Sequence, residues 1–157
     1  MSSLPTENVH DYPRPPALQP VTYPLLVKLG GSIAAKTNAG LRVLETHHAP
    51  TYYFPPDSIL ALLTPSGGQS YCEWKGQARY FDVACGDAVV ARAAWTYEKP
   101  SDGFRQIAGY LAFYANLMEA CFVAGEAARP QPGSFYGGWV TSNLEGIPKG
   151  ARGTEHW

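Results

Sequence analysis

From Pro24 onward the chain is a succession of short apolar segments cut by turn residues. Residues 25–29, 32–36, 41–45, 51–54, 70–74, 78–83, 88–93 and 120–123 are each too short for a stable helix. They read as antiparallel strands. The connections are Gly30-Gly31, Asn38-Ala39-Gly40, Ser66-Gly67-Gly68 and Cys85-Gly86-Asp87, residue types that accept the tight or left-handed backbone of a turn. Two stretches suggest helix: Asp57-Ser58 could cap residues 59–63, and Ser101-Asp102 could cap residues 104–110. The pattern predicts a mainly β domain with two short helices and no internal repeat.

The ends differ from this middle. Pro5, Pro13, Pro15, Pro16 and Pro20 remove amide donors and bias their predecessors toward extended backbone, so residues 1–23 read as an arm, loose or laid across the domain, and not as a core element. Residues 24–129 form the domain itself. Residues 130–157 are Gly-rich yet keep Phe135, Tyr136, Trp139 and Trp157, more aromatic surface than a disordered tail carries. They read as an irregular C-terminal strap packed on the domain, with Trp139 buried.

A chain of 157 residues can bury a core without metal or disulfide staples. Its twelve Lys and Arg are scattered and its net charge is −1, so no basic face for nucleic acid is present. No apolar run approaches the roughly 20 residues of a membrane span, and no signal peptide is read. Cys72, Cys85 and Cys121 include no C-x-x-C pair, which argues against a disulfide framework and a zinc knuckle and for reduced thiols in the cytoplasm. No cofactor is expected.

Three stretches could carry chemistry. In the first, alternation along residues 41–45 turns Glu45 to the face of Leu41 and Val43. There a carboxylate needs a partner, unless the strand ends and Glu45 meets solvent. The neighbouring His47-His48 reads as a loop pair, since adjacent strand residues face opposite ways. Tyr53 follows in the same stretch. The second stretch holds Cys72, Glu73, Trp74 and Lys75 before Gly76. Cys72 is a candidate nucleophile or a small core residue. Lys75 could reach Glu45, bind a ligand carboxylate or phosphate, or be a plain turn lysine. In the third, Trp95 and Tyr97 share a strand face and either line an aromatic pocket or fill the core.

Two weak motifs fail. Gly30-Gly31-Ser32 resembles the opening of a polymerase-β-type nucleotidyltransferase, but the paired acids such a site needs for metal ions are missing downstream. Residues 146–150 lack the Gly-Lys-Ser/Thr order of a phosphate loop.

The motifs Tyr53-Phe54-Pro55, Trp74-Lys75-Gly76, Ala94-Trp95-Thr96-Tyr97 and Ala112-Phe113-Tyr114, with Glu45, Cys72, Tyr80 and Pro100, resemble a bacterial family filed as domain of unknown function 427, sometimes labelled nucleotidyltransferase-type. The resemblance covers roughly residues 24–124. The family commonly has Pro where this chain has Glu73. The resemblance implies a β-tent-like fold, two antiparallel sheets meeting at an angle with a pocket between them, and no established activity. The residues together suggest a small-ligand-binding domain, with catalysis left open and Cys72, Glu45 and Lys75 the candidates for it. Glu45, Tyr53, Lys75, Trp95 and Tyr97 would surround one cleft, with Glu45 and Lys75 in salt-bridge reach. The alternative is a protein-interaction module, such as a homodimer, without a catalytic site.

Overall fold

The computed structural model describes residues 4–72, 74–133, 136–154 and 157; Glu73 and Phe135, singled out above, lie outside them. The chain is mainly β, with several antiparallel sheets, a few short helical turns and, among the described residues, no barrel. One four-stranded sheet runs in the order Leu111–Phe113, Ala88–Thr96, Gly76–Cys85, Leu62–Cys72. The other runs Glu126–Ala127, Ala120–Val123, Leu25–Leu29, Ser32–Thr37. A three-stranded sheet joins Ala17–Pro20, Leu41–Leu44 and Thr51–Tyr53.

The two four-stranded sheets touch at their hairpin tips. A Cβ on Gly30 would lie 2.1 Å from the Cys85 carbonyl oxygen, and one on Gly86 would lie 2.1 Å from that of Gly30, so neither of these two glycines tolerates a side chain. The three-stranded sheet continues into the first through Phe54 and Leu111, which exchange both backbone hydrogen bonds at 2.7 and 2.9 Å.

Strand alternation then sorts side chains into two apolar clusters. Tyr52 and Phe54 enter the main core with Leu25, Val27, Phe113, Val123 and Trp139. Tyr53, between them in sequence, points the other way and packs with Val43, Trp95, Tyr97, Phe104 and Ala112.

The helix expected over residues 59–63 does not form. Pro56–Ser58 makes a single 3-10 turn, the Ser58 hydroxyl donates back to the Pro55 carbonyl, and Ile59 already bridges Ala35. Leu62 and Leu63 pair with Ala84 and Val83, and these ladder bonds outweigh a weak local cap. The second expected helix shrinks to a 3-10 segment at Asp102–Ile107, kinked at Phe104, with no side-chain cap at Ser101. Gly109 follows at φ +76°, and Leu111–Phe113 then pairs with Thr96, Trp95 and Ala94 as a strand. No helix among the described residues is long and apolar enough to cross a membrane.

Both ends pack on the middle. Ala17–Pro20 pairs with Leu41–Leu44, and Glu7–Asn8 pairs in parallel with Leu144–Glu145. Contrary to the reading from their prolines, residues 1–23 supply core: Val9 is fully buried with Tyr12 and Leu44 in a third apolar cluster. At the other end Trp139 is 1% exposed and its indole N–H donates to the Phe113 carbonyl at 3.0 Å.

Candidate functional site

A cavity of about 330 Å³ opens on the face that carries Tyr53. Apart from Ala17–Pro20, the strands of the bridged sheets or the residues just past them line it: Val43 and Thr51, then Tyr114 just past Leu111–Phe113, Trp95 and Tyr97, Tyr80, and finally Ser70 and Cys72. Glu45, His48 and Ala49 close one side. Trp74 and Lys75 from the turn before Gly76, and Tyr136, Gly137, Gly138 and Lys149 from the C-terminal segment, close the rest. Gly137 lets the segment approach closely, since a Cβ there would lie 2.2 Å from the Trp95 ring.

Glu45 and His48 face the cavity because of one turn. The His48 N–H donates to the Glu45 carbonyl at 3.0 Å, and His47 takes the left-handed conformation (φ 69°) at the third position. Residues one and four of the turn therefore project together, with His48 Nε2 3.8 Å from Glu45 Oε2. His47 swings away, its Nδ1 lying 2.6 Å from that of His10.

Buried Gln131 determines which nitrogen of His48 carries the proton. Its Oε1 accepts the Ala49 N–H at 3.0 Å and its Nε2 donates to the Lys149 carbonyl at 2.9 Å, so the amide orientation is settled. The second Nε2 hydrogen then points at His48 Nδ1, 3.2 Å away, which must accept. His48 is the Nε2–H tautomer and presents a donor toward Glu45. Burial, followed by the charges of Lys149 and Lys75, pushes its pKa down to about 4, so the ring is neutral at neutral pH.

Lys75 does not pair with Glu45, contrary to the expectation from sequence. Its ammonium sits over the rings of Tyr97 and Phe104, 5.9 and 6.0 Å from their centroids, while Glu45 lies across its own turn from His48, 3.8 Å away. Among the described residues no carboxylate lies within 4.0 Å of the Lys75 ammonium. The aromatic stack supplies a weaker, one-sided attraction.

The walls are neutral phenols and indoles. Burial raises the pKa of Tyr53, Tyr97 and Tyr114 above the ordinary tyrosine value, so they act as hydrogen-bond donors and not as bases. The Tyr53 hydroxyl is buried and has no hydrogen-bond partner. The Trp95 indole lies near enough to favour its ionised form, but outside hydrogen-bond geometry. Trp95 stacks on Tyr114 with ring centroids 4.5 Å apart. Trp95 and Tyr97, 7% and 6% exposed, resolve the choice between core and pocket by doing both.

Of the three thiols, half-buried Cys72 lines the cavity; Cys85 and Cys121 are buried, and burial pushes the Cys121 thiol up to about 12.

All six residues singled out from sequence (Glu45, Tyr53, Cys72, Lys75, Trp95 and Tyr97) line this one cavity. Sequence reasoning missed His48, Gln131, Gly137 and Lys149. In sequence the first reads only as half of a loop pair with His47. The others lie in a segment with no periodicity to read.

No curated protein matches the chain. One family profile does, over residues 17–124, which spans the cavity residues from Val43 to Tyr114 but stops before the segment that bears Gln131, Gly137 and Lys149. The chain therefore belongs to the family described as Domain of unknown function (DUF427).

Proposed function

We propose that the protein binds a small, flat ligand in this cavity. Supporting the reading is a combination that packing alone does not require: half-buried Lys75, with no carboxylate partner among the described residues, and the buried, unpartnered hydroxyl of Tyr53 line one cavity between aromatic walls. A volume of about 330 Å³ falls at the small end of the ligand-pocket range of roughly 300–1,000 Å³. The rings would stack on the ligand, Lys75 would supply positive charge, and Glu45, beside a neutral His48, is the group able to take a proton from it. The three free thiols suit a reducing compartment, and we place the protein in the cytoplasm on that ground.

The test is a thermal-shift screen of metabolites against the wild type and Lys75→Met. A ligand at one hundred times its Kd adds about 2.7 kcal/mol of stability. A hit that stabilises the wild type and loses its effect in Lys75→Met supports the reading, and a screen with no hit counts against it.

A second reading, self-association, is favoured by the row Leu62, Ala84, Val89, paired in register across three strands, in which Leu62 and Val89 are 68% and 76% exposed. Sedimentation equilibrium of the wild type against Val89→Glu tests it. A monomer at all concentrations would reject it.

A further inference from the structure

The cavity holds a second cation that the sequence motifs do not include. Lys149 comes from the C-terminal segment, approaching from the side opposite in sequence to Lys75, and among the described residues it too has no carboxylate within 4.0 Å. Its placement is built: the Lys149 carbonyl accepts from Gln131 at 2.9 Å and its N–H donates to the His47 carbonyl at 2.5 Å. Both ammonium groups bear on the same His48 ring, whose protonation they oppose. With His48 neutral, the charged residues that line the cavity, among those described, are Lys75 and Lys149 against Glu45.

We propose that the ligand is an aromatic oxyanion, a carboxylate or phosphate on a one- or two-ring system, held by its anionic group between Lys75 and Lys149. This rests on the cavity being a binding site, and adds the chemical class and the second cation. A cationic ligand would meet two like charges. A neutral ring would leave both ammonium groups unmatched as the cavity loses water, at a cost that grows as the dielectric falls. An oxyanion removes both penalties, and its ring takes the stacking surface of Trp95 and Tyr97. The carboxylate of Glu45 and the Nε2–H of His48 remain as one acceptor and one donor for a polar substituent. Because Lys149 arrives on the C-terminal segment, binding also ties that segment to the sheet.

The experiment is a tryptophan-fluorescence titration, with melting curves in parallel, of phenyl phosphate, benzoate, benzyl alcohol and benzylamine against the wild type, Lys75→Met, Lys149→Met and Lys149→Arg. Wild type is expected to bind at least one of the two anions more tightly than the alcohol or the amine. Each Met variant should weaken it tenfold or more, with Lys149→Arg retaining most of the affinity. Phenyl phosphate and benzoate tell the phosphate from the carboxylate. Anion binding unchanged in Lys149→Met overturns the inference while leaving the cavity a binding site, as does equal or tighter binding of benzyl alcohol or benzylamine. Failure of all four compounds to bind the wild type overturns the inference and the cavity reading together. A Met variant whose unliganded melt collapses is replaced by the Gln variant at the same position, Lys75→Gln or Lys149→Gln, with the same expectations.

Discussion

At the scale of single residues, the neutral His48 has a measurable consequence. Its folded pKa, about 4, lies below the ordinary 6.5, so between these values the unfolded chain takes up a proton that the folded chain refuses. Stability is therefore complete above about pH 6.5 and falls as the solution is acidified toward pH 4. Urea unfolding of His48→Gln should show a flatter slope across that window; a slope equal to that of wild type would assign the loss elsewhere. His47, shifted down by burial and by His10, leaves a residual slope. Gln131 gives a second prediction. Gln131→Leu strands the Ala49 N–H and the Lys149 carbonyl and frees His48 Nδ1, where each unmade buried bond costs roughly 1–3 kcal/mol. A loss of about 2 kcal/mol in chemical denaturation is expected, together with a mixed His48 tautomer by nitrogen NMR. Glu45 was legible at this scale because period-two alternation carries past the end of its strand and puts it beside Val43. Its partner was not, because the left-handed turn at His47 inverts the alternation that sequence reading assumed.

At the scale of elements, the C-terminal segment closes the cavity by close approach and not by pairing. Gly137→Ala would place a methyl 2.2 Å from the Trp95 ring, so either the indole or the segment must move. The expected cost is about 1–3 kcal/mol, as for other overpacked sites, with a shifted Trp emission; an unchanged melt and spectrum would show the contact to be slack. Truncation after Arg129 removes Trp139 from among Tyr52, Phe54 and Phe113 and should lower the melting temperature. Strands whose own alternation buries them could be read directly, as Leu25–Leu29 and Ala120–Val123 show, each bounded in the structure as in the sequence reading. Two-residue strands such as Trp139–Val140 and Leu144–Glu145 carry no period and exist because a partner strand is there to pair with. The same limit hid Leu111–Phe113, whose apolar run reads equally well as helix until Phe54 and Trp95 flank it.

At the scale of the whole molecule, the two chain ends clasp each other and the sheet beneath the cavity. The Glu7 N–H donates to the Asn143 carbonyl at 2.9 Å, and the Asn143 amide donates to the Pro5 carbonyl at 3.0 Å. Arg42, on the strand face opposite Val43 and 6% exposed, donates to both Glu7 carboxylate oxygens at 3.1 and 2.9 Å and to Gln19 at 2.7 Å. Tyr12 adds a hydroxyl to Glu7 at 2.5 Å. Burial pushes the Glu7 carboxyl up, but the hydrogen bonds from Arg42 and Tyr12 and the Arg42 charge outweigh it, and its pKa falls below the ordinary 4.5. The folded chain thus holds this carboxylate ionised where the unfolded one protonates. The resulting stability is present above about pH 4.5 and is lost as pH falls through the lower folded value. Removing one member of a buried pair costs about 3–5 kcal/mol. Glu7 keeps 25% of its side chain in water, so Glu7→Gln is expected to cost less, about 2 kcal/mol at pH 7. The acid loss below pH 4.5 should shrink in this variant, while the slope between pH 6.5 and 4 that belongs to His48 stays. Amide exchange at residue 7 should accelerate too, because its N–H donates to the Asn143 carbonyl across the two ends. Replacing both groups, Glu7→Gln with Arg42→Met, should recover part of the loss by removing the stranded charge. A Glu7→Gln protein that melts like wild type at pH 7, with the residue 7 amide still protected, would show that the ends are held by backbone pairing alone.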